Sequence, residues 1–545
     1  MSRLLAAGLA LLLVAAAAEA AFFAAGRPHP RLSELEQVIA HAQALGPTDP
    51  AQAMSVTLNL KGRDADGLRR LLESGGTLST AEFDARFGPD QARVEDSVGR
   101  LSVAGLTPSW TAGSSVLVLD GPAAALERVL RVRFQDYLAP DGIRFYAADR
   151  DPTLPAYLKP LVSGISGLDD YFRYQRRAVR PGGLTPNDVL AFYNIKGLRD
   201  QGLDGSGETI VMPEIDDLPN QDDLARYAER FNLPPFDVTV KKDPSWGKPM
   251  DDGKPGFEVT LDLEVVHAIA PGAKLVAYIG GARQDFGSRL FDQMVRDNLG
   301  AIISDSIGAC ELQTSSGIRQ AAFDQNDRAV AQGMTHLVAS GDLGAYGCGP
   351  DKPLDVDFPS ALPNLTSVGG TTLYESTQGV YYREMSWGSP VSQAGSGGGL
   401  SQYYDRPAYQ TGPGVQNKDS NGKRQVPDVS AVADVNSGWA LTVAGGKHEV
   451  GGTSAAAPLW AGVIALINQA LKKKGLRRVG FANPALYWMG QNQAKFPVNP
   501  FHDVSQGNNL HFDSTGGWDY GTGWGSMDAV GLEAAFESYI KQGGR

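Results

Sequence analysis

Residues 449–475, EVGGTSAAAPLWAGVIALINQALKKKG, place one serine, Ser454, at the mouth of a helix. The helix follows from apolar residues at helical spacing, strong helix formers throughout, and Lys472, Lys473 and Lys474 ahead of Gly475, which suits a C-terminus. Gly451 and Gly452 permit close backbone approach. The N–H groups of a first helical turn, at the positive end of the helix dipole, can hold a developing oxyanion. On this stretch alone, N-capping competes with a nucleophilic role for the serine.

The segments upstream give the fold class. ETIVMPEI (208–215), KLVAYI (274–279), GAIISDSIG (300–308), THLVASGDLG (335–344) and NLTSVGGTTL (364–373) are apolar β runs. Helical stretches such as QDDLARYAERF (221–231) and FDQMVRDNLG (291–300) separate them. From Leu184 on, this is an α/β domain with a parallel sheet. Ligand sites in such folds lie beyond the carboxyl ends of the strands, where the SDS, SGD and GGT segments fall.

Before Leu184 the pattern differs. MSVTLNL (54–60) alternates as a strand, DADGLRRLLESGG reads as a helix ending at Gly75, and Ser79 to Glu82 has the spacing of a capping box. A helix (91–106), a strand (114–121), a helix (123–132) and a strand (141–149) follow, making a small α+β unit. RYQRRAVRPGG (173–183) then reads as a basic linker open to proteolysis.

The chain of 545 residues is 42% hydrophobic and 20% charged, ordinary for a globular protein of two or three domains. A net charge of -12 without a basic cluster argues against nucleic acid as a partner and suits solubility or an acidic medium. The N-terminus, with a basic start, an apolar run from Leu4 to Ala18 and Ala18-Glu19-Ala20, reads as a secretory signal peptide, with an uncleaved anchor as the alternative. No other segment reads as apolar enough to span a bilayer. After export, Cys310 and Cys348 are expected to form a disulfide, against the alternative of two unrelated buried thiols.

A serine nucleophile needs a proton acceptor. His267, in LEVVHAIAPGAKL, lies in an apolar helical run with no second polar group to orient it, and reads as structural. One turn and more upstream, Glu258 and Asp262 fall at i and i+4 on one helix face. Two carboxyls there repel unless they share a proton, and the alternative is a solvated acidic face to which Glu264 also belongs. Asp342, between glycines at the end of an apolar strand, reads as either a turn cap or a site residue.

Taken in order, ExxxD on a helix, SGDLG after a strand and GTSAAAP opening a helix resemble the sedolisin family of serine-carboxyl peptidases, whose fold is similar to subtilisin. The resemblance runs from about residue 50 onward through LSTAEFDARFGPD, FPSALPNLTSVGGTTL, SGGGLSQYYDRPAYQ and VPDVSAVAD. It implies Ser454 as nucleophile, Glu258 as general base, Asp262 as the carboxyl that tunes Glu258, and Asp342 as an oxyanion-hole donor. A Glu base, with an ordinary pKa of about 4.3, suits acid conditions in which His would be locked as a cation. Glu214 stands where some members extend the carboxyl network, but Ile307 replaces an expected Trp and Leu343 a usual Ser.

The resemblance further implies one structural Ca²⁺ in FHDVSQGNNLHFDSTGGWDYGTG (501–523), on Asp503, Val504, Thr515, Gly517 and Asp519. On spacing alone these aspartates read equally as turn residues. The expected organisation is a signal peptide (1–20), an activation prosegment (50–175) folded onto the active-site face, a processing linker (176–186) and a catalytic domain (187–545). The expected protein is a secreted, monomeric, self-processing acid endopeptidase, extracellular or periplasmic, with peptide substrates and its own prosegment as inhibitor, and with no membrane partner when mature. A tripeptidyl exopeptidase or a silent peptide-binding homologue are the alternatives.

Overall fold

The computed structural model describes residues 42–139, 144–171, 183–215, 218–250, 256–375 and 381–544, with Leu35, Val38 and Ile39. The predicted signal peptide and most of the predicted linker lie outside them. In the catalytic part, β1 (Thr209–Glu214), β2 (Val238–Lys242), α1 (Phe257–Ile269), β3 (Lys274–Ile279), α2 (Gln284–Asp297), β4 (Ile302–Asp305) and α3 (Ser316–Ala331) follow one another. They are succeeded by β5 (Thr335–Ala339), β6 (Thr366–Glu375), β7 (Tyr381–Ser386), β8 (Val429–Val432), β9 (Trp439–Val443), β10 (Gly446–Val450) and α4 (Thr453–Lys473).

The main sheet has the order β7-β6-β5-β4-β1-β3-β2, with β8 beside β6. Every pairing is parallel except β6 with β7. The chain enters at β1, winds out to β2, returns through β3 and then crosses to β4. Strand order therefore reverses around β1 and β4, and the crevice of a doubly wound sheet opens beyond their carboxyl ends, Glu214 and Asp305. Both faces are covered. Ile210 and Met212 of β1 enter one core with α1 and α4, whereas Val211 enters another with Leu290, Met294 and Ile303. Strands buried on both sides need no polar alternation, which is why these runs are continuously apolar.

Thr453–Lys473 is itself long and apolar enough to cross a membrane, a correction to the sequence reading that only the N-terminus is. It is wholly buried up to Leu471 as the central helix of the larger core. Gly462 lets it approach α1, since a Cβ there would stand 2.7 Å from that of Ile269. Cys310 and Cys348 are joined, closing a separation of 38 residues, worth roughly 3 to 4 kcal/mol by chain entropy.

The prosegment has its own core, with Val56, Leu58, Leu117, Leu119, Leu126 and Phe134 buried between two small antiparallel sheets and their helices. The capping box is formed as expected, with Ser79 N–H donating to Glu82 and Glu82 N–H to Ser79 Oγ. The unit starts earlier than residue 50, because Gln43–Pro47 pairs with Phe134–Leu138. That segment, QALGP, carries no alternating pattern, so only the partner strand makes it β.

This body docks along α2 and α3, and the expected covering of the active-site face shifts to that flank. Asp292 of α2 accepts from Ser114 Oγ and from Ser115, Arg289 reaches Thr57 and Ser55, and Arg328 of α3 pairs with Asp84 at 2.9 Å. Gly317 at the start of α3 lies so close to β-strand Val162–Ser166 that a Cβ would meet Ile165 O at 2.3 Å. The catalytic part begins slightly before 187. Leu184 bridges Trp439 of β9, and Thr185 caps the helix Pro186–Phe192.

Candidate active site

α1 explains why two carboxylates at i and i+4 do not form a solvated face. It lies under α4, and Glu258, Asp262, Glu264 and His267 are all buried. Thr442 N–H donates to Glu264 at 2.9 Å, and burial holds that carboxyl well above the ordinary Glu range. His267 is structural, as expected. Its Nε2 engages Pro234 O at 2.7 Å, its ring stacks on Phe236, and burial lowers its pKa to about 4.

Ser454 is the second residue of α4. The N-cap is Gly452, whose φ of 103° is open to glycine and strained for other residues, so Ser454 is not the cap. Asp342 arrives from the end of β5. Its Oδ1 accepts both Thr453 N–H and Thr453 Oγ1–H at 2.8 Å, and Thr453 Oγ1 in turn accepts from Gly341 N–H at 3.0 Å. The carboxyl of Asp342 is thereby fixed at the first turn of α4, beside Ser454.

Sequence reasoning missed the residue that joins the other two groups. Ser306, just after β4, donates from Oγ to Asp262 Oδ1 at 2.8 Å, and its carbonyl accepts Ser454 Oγ–H at 3.4 Å. No spacing rule marks it; only its place at the end of a central strand could have. Thus α1, β4, β5 and α4 bring Asp262, Ser306, Asp342 and Ser454 together, with Glu258 one turn before Asp262. Glu214 and Ile307 face one small cavity, which the isoleucine fills less than an indole would.

In the C-terminal loop, Gly517 N–H donates to Asp503 and Thr522 Oγ1 approaches Val504 O, so segments 503–504 and 515–522 share one site. Asp519 is held by N–H groups of Thr515, Gly521 and Thr522. The oxygens placed there are the two carboxylates, already engaged by these N–H groups, and the Val504 carbonyl, a donor type that suits a hard cation such as Ca²⁺.

Away from the site, burial raises Glu311 and Asp327 to about 7 and Asp355 to about 8, alongside Glu264. A carboxyl whose folded pKa is raised contributes stability that is complete below its unfolded value and is lost as pH rises through the folded one. His267, lowered to about 4, works in the opposite sense, its contribution fading as pH falls from 6.5. Each group is worth at most about 1.4 kcal/mol per pH unit, so several carboxyls outweigh one histidine even if Glu311 and Asp355, which repel, count little more than once. Calorimetry should therefore find the melting temperature falling between about pH 5 and 8, and Glu311→Gln should flatten part of that fall.

A buried serine at a helix mouth, carboxyls on its neighbours Thr453 and Ser306, and a separate docked prosegment accompany a doubly wound sheet, the arrangement of a serine-type peptidase with a subtilisin-like fold. Residues 40–171 match the family described as Pro-kumamolisin, activation domain, and residues 250–488 the Subtilase family. Kumamolisin of Bacillus sp. (strain MN-32) is 32% identical over 89% of this chain and 92% of its own length. The solved structure of Pseudomonas sedolisin, a serine-carboxyl proteinase complexed with two molecules of pseudo-iodotyrostatin, superposes with a TM-score of 0.59 at 29% identity, over 67% of this chain and all of that one. Tripeptidyl-peptidase 1 of Mus musculus is 26% identical over 90% of this chain and 92% of its own length. The chain belongs to the sedolisin family of serine-carboxyl peptidases.

Proposed function

We propose that the protein is a secreted, self-processing endopeptidase active at acid pH, with Ser454 as nucleophile and Glu258 as general base. The observation that carries this reading is Ser306, which links Asp262 to Ser454 by hydrogen bonds. Glu258 takes the Ser454 Oγ proton during attack on the scissile carbonyl and returns it to the leaving amine; water then cleaves the acyl-enzyme. Asp262, held by Ser306, shares a proton with Glu258 and keeps one of the two carboxyls neutral. Because Asp342 Oδ1 accepts both Thr453 donors, the proton that makes it an oxyanion donor belongs on Oδ2, with Ser454 N–H as co-donor.

Internal cleavage is favoured over tripeptide release by the higher identity to kumamolisin than to tripeptidyl-peptidase 1 and by the likeness to a structure described as a proteinase. A peptide library incubated with the protein at acid pH separates the readings: internal cuts support this one, tripeptides alone indicate an exopeptidase, and no turnover indicates a silent binder. We further propose that the mature form works as a monomer outside the cytoplasm, after loss of residues 1–20 and of the prosegment by a cut within 173–190.

One Ca²⁺ is proposed at the C-terminal loop, on the carboxylates of Asp503 and Asp519 and the carbonyls of Val504, Thr515 and Gly517. It would be structural, tying the loop to the segment that leads into GTGWGSMD. Chelation near neutral pH should lower the melting temperature, and Asp519→Ala should abolish that sensitivity. Unchanged stability together with no calcium by metal analysis would reduce the two aspartates to turn residues.

A further inference from the structure

Asp305 and His336 are buried, and neither belongs to the machinery described above. They lie on adjacent parallel strands, β4 and β5, where Ile303 is opposite His336 and Asp305 opposite Val338. Their side chains share one face, and His336 Nε2 stands 3.4 Å from Asp305 Oδ2. Phe291 of α2 packs on the imidazole.

The hydrogen bonds determine where the protons are. Asn326 Nδ2 donates to the Asn364 carbonyl at 2.6 Å, so Asn326 Oδ1 is the atom facing His336 Nδ1 at 2.8 Å. His336 Nδ1 therefore carries hydrogen. Its other nitrogen, Nε2, faces Asp305 Oδ2 in a close polar contact that does not make a hydrogen bond.

Asp305 is engaged on both sides: its Oδ1 accepts Ile307 N–H at 3.1 Å across the turn that contains Ser306, and its Oδ2 lies against the His336 ring. Ser306 is the residue whose hydroxyl binds Asp262 and whose carbonyl receives Ser454 Oγ–H. We propose that Asp305, packed against His336, is a positioning residue that locks the 305–307 turn and so sets where Ser306 presents Ser454 to its base. This rests on the reading of Ser454 and Asp262 given above. A serine displaced within the site still leaves the substrate-binding surface intact, so the loss belongs in kcat and not in KM.

The test uses the full chain, matured at acid pH, with steady-state kinetics on one fluorogenic peptide and thermal melts to confirm folding. Asp305→Ala should lower kcat by about tenfold to a hundredfold with KM changed less than about twofold. Asp305→Asn keeps an oxygen for Ile307 N–H and offers an N–H to His336 Nε2, so it should restore kcat to within about threefold of wild type. His336→Val, which removes only the ring packed against Asp305, should fall between them and carries the test if Asp305→Ala does not fold. Wild-type kcat in Asp305→Ala, or in His336→Val where that variant stands in, overturns the proposal; so does an Asp305→Asn enzyme as impaired as Asp305→Ala while both melt normally. Ser454→Ala, assayed as the unprocessed full chain, separates the two readings: turnover without that serine removes the nucleophile assignment, whereas an inactive Ser454→Ala beside an unimpaired Asp305→Ala removes this inference alone.

Discussion

Ser454→Ala should yield a chain that keeps its prosegment at acid pH and hydrolyses peptides slower by something on the order of a millionfold, the scale on which removing the nucleophile of a serine peptidase acts. The neighbouring hydroxyl cannot substitute, because Thr453 Oγ1 is committed to Asp342 and to Gly341 N–H. Both readouts follow from one group. Gel analysis of the acidified variant reports on the linker, and a fluorogenic peptide reports on turnover in trans. Maturation of the purified variant at the wild-type rate would disprove self-processing even if peptide hydrolysis were lost.

Glu258→Gln should cost on the order of ten thousandfold in kcat, the upper range for a positioned general acid–base group. Glutamine is nearly isosteric and can still hydrogen-bond, so the loss isolates proton transfer. The competing base is His267 on the same helix. Its Nε2 is occupied by Pro234 O, and a pKa of about 4 follows from its burial against Phe236. His267→Ala should therefore act on stability and leave the acid optimum in place. An optimum at neutral or alkaline pH that disappears in His267→Ala would hand the base role to the histidine. Asp342→Ala is expected to cost less, about a hundredfold, as loss of one oxyanion donor does.

Local signals carried most of the architecture. The strands leading to SDS and SGD, the helix opening at Thr453 and the Ser79 capping box all depend on residues within one or two turns of each other, and all formed as read. The docking of the prosegment did not, since α2 and α3 meet it through arginines and small residues that look like ordinary surface in sequence. The carboxyl pair was visible as spacing, but its meaning was not. ExxxD on a helix reads as a wet acidic face until α4, far away in the chain, is laid over it; the close approach of the two helices is seen where Gly462 crosses Ile269. Ser306 and the Asp305–His336 pair were illegible for a related reason: they are made by parallel register between strands, and parallel neighbours are separated by whole helices.

The bridge between Leu184 and Trp439 has a kinetic consequence. Trp439 also pairs with Val450, so Leu184 stands only two strand spacings, about 10 Å, from the residue that leads into Gly451, Gly452, Thr453 and Ser454. Tyr171 on the docked prosegment and Leu184 beside β9 fix where the intervening segment begins and ends, so on the self-processing reading proposed above the cut bond would belong to the same molecule as the serine that cuts it. Such a bond would experience an effective concentration in the millimolar range, far above that of any second molecule in dilute solution. Maturation would then proceed as a first-order process whose half-time is unchanged by dilution, and each molecule would carry its own clock, started by acid and indifferent to how many copies surround it.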